Sequence, residues 1–149
     1  MYQGNVLSIN VTAASGGPMR SLDEARAVAG KGLEGDRYFD TKPDSQVSLI
    51  AAEAIEAMER DTGLKLDHKD ARRNIVTRDV PLNDLVGQDF QVGDVALRGL
   101  RLSEPCATLA SLTDDRVLQG LVHRAGLKCE ILNDGVIRVG DAVRPLVAS

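Results

Sequence analysis

The chain has no tryptophan, two tyrosines and two phenylalanines in 149 residues. Proteins that hold single-stranded nucleic acid stack bases on aromatic side chains, and so few rings make a poor platform for that. Positive charge is also in short supply. Eighteen Lys and Arg residues stand against 22 Asp and Glu, a net charge of -4, whereas neutralising a phosphate polymer needs a concentrated basic surface. No nucleic acid is expected as a partner. Only two cysteines occur, Cys106 and Cys129, too few for a disulfide framework, and no CxxC or HxxxH pattern offers an ordinary protein-built zinc site. No apolar run approaches the ~18 residues of a membrane helix. The N-terminal MYQGNVLSINVTAASGG lacks the charged start of a secretory signal. These absences lead us to expect a cytoplasmic protein with free thiols and no membrane partner.

With 43% hydrophobic residues, the chain can bury one sizeable core, and a single domain over residues 1–149 is expected. NVLSINVTA alternates in the manner of a strand with one buried face, Val6, Ser8 and Asn10 on one side and Leu7, Ile9 and Val11 on the other. ARAVAGKGLEGDRY starts as a strand and runs into Gly30, Gly32 and Gly35, a spacing that suits a tight loop. QVSLI leads into AAEAIEAMERDTG, where Ala51, Ile55 and Met58 share one helical face and Gly63 is placed to cap. Short β-like pieces follow: RNIVT, DFQVG, DVALRGLRL, LKCEIL and VIRVGDAVRPL, punctuated by PLND, GD and NDG turns. DDRVLQGLVHRAG carries the stripe of a second helix. The pattern predicts a mainly β fold, a closed or nearly closed β-barrel with two or three short helices inserted.

Two places concentrate chemistry. Cys106, in SEPCATLAS, follows a strand and stands among turn-forming residues. It is either a small buried hydrophobe or, at a loop or helix N-terminus, a thiol whose pKa is depressed by backbone dipoles and which suits metal or sulfur chemistry. Cys129 shares a strand face with Leu127 and Ile131 and is expected in the core. HKDARRNIVT brings together His68, Lys69, Arg72, Arg73 and Asn74. It reads either as a solvated charged loop or as an anion site, where guanidinium groups grip a phosphate bidentately and the Asn74 amide meets a heterocycle edge. His123 and Arg124 suit the C-terminal end of the second helix.

Taken in order, GLEGDRY, ARRNIVT, LNDLVGQDFQVGDVALRGLRL, SEPC, LVHRAGL and GVIRVGDAV resemble the successive blocks of the MOSC family, found at the C-terminus of molybdenum cofactor sulfurases and in amidoxime-reducing enzymes. The resemblance implies a β-barrel that binds a molybdopterin-type molybdenum cofactor, with Cys106 as the catalytic thiolate and molybdenum ligand. It places the R-x-N block on Arg72 and Asn74, gripping the phosphorylated pterin, with Arg73 between them. It puts the GDR block on Asp36 and Arg37 and the HR block on Arg124. It implies either a molybdenum-dependent oxidoreductase that reduces N-oxygenated compounds or a non-catalytic sulfur or cofactor carrier using a Cys106 persulfide. A third reading is a degenerate member kept for interaction. Several relatives carry a second cysteine where this chain has Ser103, which disfavours a vicinal thiol pair. The longer amidoxime-reducing relatives complete the site with an N-terminal β-barrel extension that these residues do not contain. The resemblance therefore implies a shallow site, or one walled by a second subunit of a homodimer. No flavin or iron-sulfur signature is present, so electrons or sulfur are expected from a separate electron-transfer or sulfur-donor protein.

Overall fold

The computed structural model describes residues 2–14, 17–63, 65, 67–103 and 126–146. Cys106, His123, Arg124 and the helix expected from Asp114 lie outside the described residues. The described residues form eleven strands: β1 Gly4–Val11, β2 Arg20–Leu22, β3 Glu24–Val28, β4 Gly32–Leu33, β5 Val47–Ala51, β6 Ile75–Arg78, β7 Asp89–Val92, β8 Val95–Leu102, β9 Leu127–Ile131, β10 Gly135–Arg138 and β11 Ala142–Pro145. One helix, α1 Ala52–Thr62, and two 3₁₀ turns, His68–Ala71 and Leu82–Leu85, complete the described elements.

The barrel expected from the strand count is present and closed. Neighbours run β1, β6, β5, β9, β8, β7, β11, and β11 returns to β1 with Gly4 opposite Val143 and Asn5 opposite Ala142. β2 extends this sheet as the antiparallel partner of β1. β3 pairs with β4 and β10 in a separate three-stranded sheet. β5 and β6 are parallel, which requires a crossover, and α1 lies within it.

Alternation along the strands sorts the side chains. In β9, Leu127, Cys129 and Ile131 point into the barrel, so Cys129 is core as expected, and burial pushes its thiol pKa well up. The interior also takes Leu49, Ile75, Phe90, Leu97 and Val143, all inaccessible to solvent. Burying each such side chain contributes roughly 1.5–3 kcal/mol relative to exposure. A second cluster forms outside the barrel, where Ala52, Ile55 and Met58 of α1 cover Ile50 and Val76, with Leu7 against them. Gly63 ends α1 at φ 73°, donating its N–H to the Glu59 carbonyl at 2.8 Å.

One expected face is corrected. Val6 joins Ile9 and Val11 in the barrel interior, while Leu7 faces the outer cluster. The register of β1 on β6 shifts between Val6 and Ser8, and this bulge inverts the alternation.

Candidate functional site

Strand register builds the site. Ser21 is opposite Asn10 on β2 and β1. Asn10 donates its N–H to the Asn74 carbonyl at 2.6 Å, one residue before the Ile9–Ile75 pair. Asn74 precedes Ile75, which lies opposite Leu49, so it stands level with Ser48. Ser48 faces Lys128 across β5 and β9, and Lys128 faces Arg101 across β9 and β8. Residues directly opposite one another in a sheet project from the same face. Ser21, Asn10, Asn74, Ser48, Lys128 and Arg101 therefore form one polar row across the outside of the barrel, at the border of the apolar cluster under α1. At about 4.8 Å per strand, the row is on the order of 24 Å long.

Hydrogen bonds fix its first half. Ser21 Oγ donates to Asn10 Oδ1 at 2.8 Å. Asn74 Nδ2 donates to the Asn10 carbonyl at 3.1 Å. Asn74 Oδ1 accepts from Ser48 N at 3.0 Å and from Ser48 Oγ at 3.2 Å. The Asn74 amide thus ties β1 and β5 to the start of β6, and its acceptor oxygen is engaged within the protein. Near this end, Ser8, Ser21, Asp67, His68 and Lys69 line an open cavity of about 520 Å³. Arg72 ends the 3₁₀ turn in the left-handed region at φ 58°, its N–H bonded to the Lys69 carbonyl at 3.1 Å, and Arg73 follows, half-buried.

The GDR block reaches the same strand end. Asp36 is buried, and its Oδ1 accepts the Thr12 N–H at 3.2 Å; Arg37 N–H donates to the Thr12 carbonyl at 2.7 Å. Thr12 is two residues beyond Asn10, so the end of β1 gathers two blocks far apart in sequence. Gly32, in β4, and Gly35, in the turn before Asp36, take φ values of 132° and 89°, a geometry unfavourable for other residues. The Arg37 guanidinium lies 4.6 Å from the Tyr38 ring centre, and Lys42 Nζ lies 4.8 Å from the same centre. Arg37 Nε and Nη1, Asp36 Oδ2 and Ser103 Oγ are buried without a hydrogen-bond partner among the described residues. Buried polar groups are normally paired, so these atoms are exceptions to the rule.

The far end of the row is cationic. Lys128 is half-buried, and burial is the chief cause that lowers its pKa; the positive charges of Arg101, Arg73 and Lys42 lower it further, against an opposing effect of Tyr38. Lys42, Tyr38, Arg101 and Lys128 are members that the sequence reading did not single out. Lys128 shows there only as a polar position in an alternating strand, and its pairing with Arg101 becomes visible only in the register. Ser103, one residue beyond β8, donates its N–H to the Gly126 carbonyl at 2.7 Å. The segment bearing Cys106 and Arg124 thus leaves and rejoins the described fold beside Arg101 and Lys128.

The fold is a closed β-barrel whose outer face carries a polar row ending in cationic side chains. Comparison with known proteins gives the family. The sequence profile of the MOSC domain matches residues 36–144, and the chain belongs to that family. Among solved structures, it is similar to the YuaD protein from Bacillus subtilis at a TM-score of 0.82 and 15% identity, over 96% of this chain and 97% of that one. YiiM from Geobacillus stearothermophilus gives 0.75 at 16% identity, over 97% and 75% of the two chains. YiiM from Escherichia coli gives 0.70 at 16% identity, over 97% and 71%. These likenesses establish the fold. No curated protein matches the chain. No helix among the described residues is long and apolar enough to cross a membrane.

Proposed function

We propose that this MOSC protein binds a molybdopterin-type molybdenum cofactor along the polar row and serves as a molybdenum-dependent reductase of N-oxygenated compounds. The observation that carries this reading is the set of buried, unpartnered donors of Arg37 beside a row of amide, hydroxyl and cationic groups. An elongated anion with a phosphate end fits such a row, because its charge is met by guanidinium and ammonium groups while the buried Asn10 and Asn74 hold the strands beneath it. Arg37, Arg72 and Arg73 hold the cofactor, with Arg124 completing the cationic set. Asp36 fixes the end of β1, and Asn74 acts as a positioning residue through Ser48 and Asn10. Cys106, three residues along the chain from Ser103, supplies a thiolate to the metal.

When bound, the cofactor supplies two-electron oxygen chemistry: an N-hydroxylated substrate takes up two electrons and two protons and leaves as the amine and water, the electrons coming from a separate protein. The chain itself contributes orientation and charge. Its outer-face site is shallow, and a second copy in a homodimer would supply a covering wall.

Production in a host that makes the cofactor, followed by metal analysis, tests the reading. Stoichiometric molybdenum in the wild type, reduced in Cys106→Ser and in Arg72→Ala, is expected, with Lys69→Ala retaining it as a charge control. Wild-type protein free of molybdenum and pterin from such a host would overturn it. A reducible one-sulfur adduct on Cys106 in metal-free protein would assign the chain to sulfur transfer instead.

A further inference from the structure

The outer face of the β8–β9 ladder contains two successive charged pairs of opposite logic. Arg98 faces Glu130 and binds it at 3.2 Å, and it also binds Asp89 at 2.8 Å. This is a neutralised pair of the usual kind. The next outward-facing pair, across the register shift between Gly99 and Arg101, is Arg101 opposite Lys128. Like charges directly opposite in a ladder repel and destabilise the sheet. Arg101 has one carboxylate, Asp44, at 3.1 Å, with both side chains more than half exposed. Lys128 has no carboxylate at ion-pair distance among the described residues, and its charged neighbours besides Arg101 are Arg73 and Lys42. Among the described residues, Asp44 on Arg101 is the carboxylate that answers the Arg101–Lys128 pair, and Arg73 and Lys42 add positive charge near Lys128.

We propose that Arg101 and Lys128, flanked by Arg73 and Lys42, form a site for a dianionic tetrahedral oxyanion of the phosphate-monoester type. The arrangement suits that ligand in particular. A guanidinium presents paired donors in a plane, an ammonium adds three more from a movable stem, and a phosphate group has oxygens enough for several such donors at once. The extended peptides of the two strands hold the Cα atoms of Arg101 and Lys128 about 5 Å apart, close enough for one small anion to lie between their charged ends. The Ser48 side chain stands on the other flank of Lys128, tied to Asn74. The site lies at one end of the polar row, so under the cofactor reading, on which this assignment to a bound source rests, it takes the phosphate end. A free phosphate would be recognised by the same chemistry.

The test uses the full chain without cofactor and inorganic phosphate as the probe, followed by calorimetric titration and by thermal unfolding in phosphate-free and phosphate-containing buffer. Wild type should bind and be stabilised. Lys128→Met, which keeps the apolar stem, and Arg101→Ala should each weaken phosphate binding at least tenfold. Lys128→Arg should stay within about threefold of wild type, and Arg144→Ala, an exposed cation on β11, should not differ from it. In phosphate-free buffer Lys128→Met should unfold no earlier than wild type, which separates loss of the site from loss of the fold. Wild type that ignores phosphate, or Lys128→Met and Arg101→Ala variants that bind it as wild type does, would overturn the proposal. A parallel arm measures cofactor retention. Loss of both phosphate binding and cofactor in Lys128→Met identifies the bound source, and loss of phosphate binding alone identifies a free anion at a standing site. Absence of cofactor from every variant and wild type, with phosphate binding intact, fails the cofactor reading and leaves this site in place.

Discussion

Replacing Asn74 with alanine separates a structural amide from a ligand-gripping one. The side chain accepts the Ser48 N–H at 3.0 Å and donates to the Asn10 carbonyl at 3.1 Å, with Asn74 itself 5% exposed and Asn10 fully buried. The Ser48 hydroxyl can rotate to another acceptor, but the Ser48 N–H and the Asn10 carbonyl cannot. Each buried polar group left without a partner costs about 1–3 kcal/mol, so truncation should destabilise by roughly 2–6 kcal/mol, towards the low end if water enters the space. A single domain is stable by only about 5–15 kcal/mol in all. With a thermal midpoint moving roughly 2–4 °C per kcal/mol at this size, a loss of ~3 kcal/mol lowers it by about 6–12 °C. Urea unfolding of cofactor-free protein should show a lower midpoint at an unchanged slope. Asn74→Asp keeps one acceptor for Ser48 but sets an oxygen against the Asn10 carbonyl, and should also lose stability at neutral pH. An Asn74→Ala variant as stable as wild type would refute the assignment of this amide to the barrel.

Three further outcomes are expected. Gly126 has φ 115°, and a Cβ there would land on the Leu49 carbonyl, so Gly126→Ala should cost at least about 3 kcal/mol in urea unfolding; an unchanged midpoint would contradict the close approach of β9 to β5. Burial and a raised pKa make the Cys129 thiol unreactive, so the folded protein should give one fast-reacting thiol to an aromatic disulfide reagent, the second appearing only in denaturant. Cys106→Ser should abolish the fast reaction, and persistence of that reaction would transfer it to Cys129. The hydrogen bond from Arg98 holds the Asp89 carboxyl below the usual carboxylate range. Stability from this pair is complete above the unfolded pKa near 4 and is lost as pH falls through the lowered folded value. Arg98→Ala should therefore flatten the acid limb of stability below about pH 4, and an acid limb identical to wild type would rule out this linkage.

The barrel was legible because its strands announce themselves locally. LKCEIL alternates, and β9 alternates in the structure with Leu127, Cys129 and Ile131 inward; the helix expected from Ala51, Ile55 and Met58 forms at Ala52–Thr62 with Gly63 as its cap, Ala51 ending β5 instead and Ala52 taking its place on the buried face. What the residues could not reveal depends on which strands become neighbours. Nothing in ARRN tells that the asparagine amide will be used up between β1 and β5, because Ser48 meets it through the parallel β5–β6 pairing and Asn10 through the antiparallel β1–β6 pairing, both distant in sequence. The Arg101–Lys128 pair is hidden for a similar reason. Its partners are separated by a long stretch of chain, and the shift between Gly99 and Arg101 defeats simple counting along the two strands. The Val6 face was lost to the same kind of irregularity, a bulge that leaves no mark in composition.

The closing contact of the barrel joins Gly4 to Val143 and Asn5 to Ala142. β1 precedes β11 by about 130 residues, so during synthesis its β11 edge waits for the rest of the barrel to be made. At about 5–20 residues per second, that wait is on the order of 10 s. Throughout it, the Gly4–Asn5 end of β1 lacks its β11 partner, while Ile9–Val11 can already pair with β2, and an unpaired strand edge is the kind of surface on which other chains add themselves. Closure across so long a sequence separation also makes folding slow relative to helical domains of similar size. Yield of soluble protein should therefore respond to translation speed and to chaperone supply, and the edge left open in the nascent chain is where assistance would act.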